Sequence, residues 1–89
     1  MITPQNILRH ELIGLTAKIR KASDKGLEGR EGEVFDETRN MLTIKAGGKF
    51  VNVPKKGGVF LFRLAERWVE IDGNAIIARP EDRVKKKFG

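Results

Sequence analysis

The chain is 89 residues long and 39% hydrophobic, enough for one modest core and too apolar for a disordered basic tail, but too short for a large enclosed active site. Its 18 Lys and Arg outweigh 12 Asp and Glu, a formal net charge of +6, which favours an anionic partner, with nucleic acid ahead of an acidic membrane. There is no cysteine, hence no disulfide or thiolate metal site, no apolar run near transmembrane length and no basic-then-apolar signal pattern, which together fit a cytoplasmic protein away from membranes.

In chain order, Thr3-Pro4-Gln5-Asn6 reads as a helix start, with Thr3 as cap and proline at the first helical position. Ile7, Leu8 and Leu12 share its apolar stripe, and Gly14 ends it. Leu15 to Arg20 alternates as a strand, with Leu15, Ala17 and Ile19 inward and Thr16, Lys18 and Arg20 outward. After a turn at 21–26 comes a hairpin. Its first strand holds Val34 and Phe35, its turn is Asp36-Glu37-Thr38-Arg39-Asn40, and its second strand buries Leu42 and Ile44. Gly29 and Gly32 fit a strand that bends sharply or admits a close backbone, which is how a small sheet curls towards a barrel.

Gly47-Gly48 turns the chain into a strand over 49–53, and Pro54-Lys55-Lys56-Gly57-Gly58 reads as a loop. Val59 to Leu64 is the most apolar run and predicts a strand covered on both faces. Arg67 to Ile71 predicts another strand, with Trp68 as its apolar anchor. Asp72-Gly73-Asn74 signals a hairpin leading to a strand over Ala75 to Ala78. Residues 79–89 read as a short basic helix, acids in its first turn and lysines in its last, with Val84 and Phe88 as its apolar residues. The expected architecture is mainly β. It is one domain over 1–89: an N-terminal helical extension (1–13), a small bent antiparallel barrel of about six strands (14–78), and the terminal helix (79–89).

Charge is unevenly spread. Residues 26–45 hold five acidic and three basic side chains, whereas 1–25 and 79–89 each hold five basic and two acidic. If the two ends meet in space, one face becomes basic. The acidic cluster Glu28, Glu31, Glu33, Asp36 and Glu37 could bind a hard cation, but a solvated hairpin flank, or an interface with a basic partner, is the better reading. His10 is the only histidine, so neither a catalytic triad nor a zinc site has its partners, and no metal or catalytic residue is expected. The glycines of 26–32 match neither a P-loop nor G-x-G-x-x-G and read as structural.

The candidates for contact with nucleic acid are Lys18, Arg20, Lys49, Lys55, Lys56, Arg79, Arg83, Lys85, Lys86 and Lys87, chosen by charge and loop position. Backbone N–H groups of the 54–58 loop would join Lys55 and Lys56 in holding phosphates. The five Phe and Trp68 fall mostly at core-like positions, which favours backbone and shape recognition over base stacking.

Several segments carry a resemblance to a known family. They are Asn6-Ile7-Leu8-Arg9-His10-Glu11-Leu12-Ile13-Gly14-Leu15, Gly32-Glu33-Val34-Phe35-Asp36-Glu37-Thr38-Arg39-Asn40-Met41-Leu42, Lys55 to Gly58, Val59-Phe60-Leu61-Phe62 and Arg79-Pro80-Glu81-Asp82-Arg83. In this order, in a basic chain of this length, they resemble the archaeal ribonuclease P protein component 1 family, counterpart of an Sm-like subunit of eukaryotic RNase P and MRP. The resemblance implies a strongly bent Sm-like barrel with helical extensions. It implies a non-catalytic subunit that assists an RNA in cleaving the 5′ leader from precursor tRNA, so that magnesium belongs to the RNA and no cofactor to this chain. It further implies pairing with a zinc-ribbon subunit on the RNA's specificity domain, with Ile7, Leu8 and Glu11 meeting that partner. A generic Sm-like or SH3-like interaction module is the alternative; a stand-alone nuclease would need a convergent acid/base set that the sequence lacks.

Overall fold

Residues 6–79, 82 and 83 are described by the computed structural model. Among them, six strands form one antiparallel sheet: β1 (Thr16–Lys21), β2 (Glu31–Glu37), β3 (Met41–Ala46), β4 (Lys49–Pro54), β5 (Val59–Leu64) and β6 (Arg67–Asp72). Their order is β4-β3-β2-β1-β5-β6, so β1 joins the β2–β4 meander to the β5–β6 hairpin. Inward residues of all six strands, from Val53 on one edge strand to Ile71 on the other, belong to a single buried cluster. A flat sheet could not bring both edges to one core, so this one curls as a small barrel does. Phe60 and Phe62 are fully buried at its centre, each contributing about 1.5–3 kcal/mol by leaving water.

Of the two glycines expected in the bent strand, Gly29 lies in the turn before β2 with φ +87°, and only Gly32 lies in the strand. Gly32 pairs with Ala17, and a Cβ there would lie 1.9 Å from the Lys45 carbonyl oxygen, so β2 and β3 approach too closely for any side chain. Two bulges shift the in–out alternation. In β1 the register slips between Ile19 and Lys21, so Arg20 and Lys21 both face out and Ala22 turns in. In β2 it slips between Val34 and Asp36, so Phe35 and Asp36 both face out and Glu37 turns in. An extra residue in one strand re-aims everything after it.

Several expectations need correction. The N-terminal helix is represented among the described residues by one 3-10 turn, Ile7–Arg9; residues 1–5 lie outside them. β5 is covered on one face only: Phe60, Phe62 and Leu64 are buried, Val59 and Leu61 are half-buried, and Arg63 is exposed. Trp68 is no core anchor but 39% exposed, with the Arg63 guanidinium 5.9 Å from its ring centroid. Asp72 to Ala78 is not a hairpin. The Asp72 carboxylate accepts from Asn74 N (2.9 Å) and starts the 3-10 helix Gly73–Ile76. Gly73 is pressed against Lys55, where a Cβ would meet the Lys55 carbonyl oxygen at 1.9 Å, and its N–H donates to Gly58 O. Ala78 N donates to Ile76 O, and Ala78 O accepts from Lys55 and Arg83, so the backbone expected to pair as a strand is bonded locally and to buried cations. Of the expected terminal helix, Arg79, Asp82 and Arg83 are described: Arg79 is not helical, Asp82 and Arg83 are, and the rest lies outside the described residues.

Candidate nucleic-acid interface

The bulge in β2 decides the fate of two predicted contacts. It turns Glu37 inward, where the carboxylate meets Lys55 Nζ (2.6 Å to Oε2) and Arg83, whose Nη2 donates to Oε1 at 2.9 Å and whose Nη1 donates to Oε2. Lys55 is 0% exposed and Arg83 4%. One carboxylate cannot balance two cations, and carbonyl oxygens supply the rest. The Lys55 ammonium also donates to Thr38 O, Arg39 O and Ala78 O at 2.7, 3.1 and 2.9 Å. Arg83 donates to Ala78 O and His10 O, each at 3.0 Å. Its Nε has no hydrogen-bond partner among the described residues. Burial holds the Lys55 ammonium below its usual 10.5, and the hydrogen bond and charge of Glu37 oppose that shift. Lys55 and Arg83 thus fasten the hairpin tip, the 54–58 loop and the backbone at His10 and Ala78 to one another. They present no charge to a phosphate at the surface.

The 54–58 loop offers fewer bare N–H groups than its composition implied. Lys55 N donates to Asn40 O, Gly58 N to Lys55 O and Gly57 N to Asn74 Oδ1. Of this loop only Lys56 keeps an exposed cationic side chain.

Lys18, Arg20, Lys49 and Arg79 are also exposed. Lys18 and Arg20 share the outer face of β1, and the β1 bulge adds Lys21, which sequence reasoning had put in the turn. Arg20 pairs with Glu70 on β6 at 3.4 Å, both side chains more than half exposed, a contact worth at most about 1 kcal/mol. Lys49 lies on edge strand β4, with β3 and β2 between it and β1, so it belongs to a different part of the surface. Arg79 pairs with Asp82 at 3.1 Å. Lys85, Lys86 and Lys87 lie outside the described residues.

Of the residues proposed to meet a protein, Leu8 (40% exposed) and Glu11 face solvent, but Ile7 is 1% exposed and belongs to the core. Aromatic residues are more exposed than expected. Phe35, the extra residue of the β2 bulge, is 55% exposed and packs on Phe50, 56% exposed, with ring centroids 4.7 Å apart. The Lys45 ammonium sits 5.9 Å from the Phe50 ring. The acidic cluster does not converge. Glu28 accepts from Ala22 N, Asp36 from Glu37 N, and Glu37 is buried; no group of three candidate metal ligands occurs among the described residues. Nor is any helix among them long and apolar enough to cross a membrane.

A curled six-stranded antiparallel sheet in a basic chain, with exposed cations on a central strand, defines a small barrel-like β protein. The family model described as Ribonuclease P/MRP, subunit p29, matches residues 5–86, and the chain belongs to that family. It is 52% identical to ribonuclease P protein component 1 of Methanothermobacter thermautotrophicus over 90 residues, covering 99% of this chain and 97% of that one. It is 54% identical to the protein of the same name from Methanocaldococcus jannaschii over 89 residues, covering 99% and 94%. Among solved structures it is similar to Mth11, described as a homologue of the human RNase P protein Rpp29, with 47% identity, a TM-score of 0.61, and coverage of 83% of this chain and 97% of that one.

Proposed function

We propose that this chain is an RNA-binding, non-catalytic subunit of ribonuclease P that assists the catalytic RNA in removing the 5′ leader of precursor tRNA. The observation that carries the reading is the family match over residues 5–86. The surface cations support it: Lys18, Arg20, Lys49, Lys56 and Arg79 are exposed, and Lys85, Lys86 and Lys87 join them by sequence position. The chain stabilises the specificity domain of the RNA together with a zinc-ribbon subunit, which meets Leu8 and Glu11. Magnesium serves the RNA, this chain holds no cofactor, and the assembly works in the cytoplasm. Reconstituted precursor-tRNA cleavage tests this: adding the chain with its partner raises the rate, and no stimulation removes the reading.

A second reading, a small-barrel module that bridges proteins, is favoured by the exposed Phe35–Phe50 pair. It requires a protein partner bound as tightly at high salt as at low, with no effect of RNA.

A further inference from the structure

We propose that a cleft beside the β1 bulge is a subsite for RNA backbone phosphates, held by Arg20, Lys21 and Lys25. The inference rests on the RNA-binding reading above and gives it a place on the molecule. The cleft is open, about 570 Å³, and is lined by Arg20, Lys21, Lys25, Glu28, Val59 and Glu70.

Its charge follows from the backbone. Without the bulge, strict alternation from Ile19 would turn Lys21 into the core; with it, two consecutive cations face the same side. Lys25 reaches the same cleft from the 3-10 turn Lys25–Leu27, which the Asp24 side chain holds through Gly26 N (2.9 Å). Both lining carboxylates are engaged. Glu70 pairs with Arg20, and Glu28 accepts from the backbone N–H of Ala22 at 3.2 Å. Among the described residues no carboxylate lies within ion-pair distance of Lys21 or Lys25. The lining has no aromatic ring and only Val59 as an apolar side chain, so it offers no aromatic platform for a base. Such a site reads charge and spacing along a strand, independent of sequence.

The test compares the full chain with the double variant Lys21→Ala/Lys25→Ala, titrating each against a ribonuclease P RNA transcript over a series of salt concentrations. Loss of two phosphate contacts should reduce the slope of log affinity against log salt by about 1.4–1.8. The two proteins should converge in affinity at high salt, and Lys21→Arg/Lys25→Arg should keep the wild-type slope. If the wild type binds with a salt-dependent affinity and the alanine variant has the same slope, the subsite is overturned while RNA binding stands. The same result with weakened binding to the protein partner would give the cleft to an acidic protein segment instead. No RNA binding by the wild type at any salt removes the RNA-binding reading and this inference with it.

Discussion

Glu37 is, among the described residues, the one carboxylate within ion-pair distance of both Lys55 and Arg83. Removing it leaves two buried cations facing carbonyl oxygens alone. Breaking a buried pair in this way costs about 3–5 kcal/mol, so Glu37→Ala should lower the unfolding free energy by that much in denaturant titration. Lys55→Met should cost less, because Glu37 keeps Arg83. The pH dependence has a definite sign. The Lys55 ammonium titrates below 10.5 in the folded chain, mainly through burial. Between the folded and unfolded values the unfolded chain retains a proton that the folded chain has lost, so stability rises with pH in that window. The unfolding free energy of wild type minus that of Lys55→Met should therefore grow from neutral pH towards 10.5; a difference that shrinks would contradict the assignment.

At the scale of the element, bulges and close approaches explain what the sequence could and could not reveal. Ala17 with Ile19, and Leu42 with Ile44, alternate over unbroken pairing, and their strands were legible from period alone. The inward turn of Glu37 was not legible, since it depends on one unpaired residue, Phe35, whose place is set by the register with β3. Residues 75–78 look like a strand by composition, but Gly73 must lie against the Lys55 carbonyl, a contact 18 residues away in sequence. Gly32 was legible as structural, and the structure supplies the reason: the Lys45 carbonyl fills the space of a Cβ. Gly32→Val should lower the melting temperature measured by circular dichroism, at a cost of about 1–3 kcal/mol or more. A Gly32→Val protein as stable as wild type, yet defective in RNA binding, would contradict a purely structural role.

Across the whole molecule, the hydrogen bond from Arg83 to His10 O joins the two basic segments, 1–25 and 79–89, at those residues. Their meeting is structural as well as electrostatic, because the arginine that makes it is buried. Lys55 and Lys56 show why sequence alone divides a basic set poorly: they are neighbours of identical chemistry, one sealed inside and the other exposed. Only the fold separates cations that hold the protein together from cations available to a partner. On this account the exposed set acts on RNA in the assembled enzyme. The direct test is the rate of precursor-tRNA cleavage in the reconstituted holoenzyme, with wild type or with Lys18→Ala/Lys49→Ala/Lys56→Ala of matched thermal stability. Wild type should stimulate cleavage, and the variant should stimulate it less, with the deficit widening as salt is lowered towards the range where the wild type binds best. Equal stimulation by both proteins at every salt concentration would contradict the account.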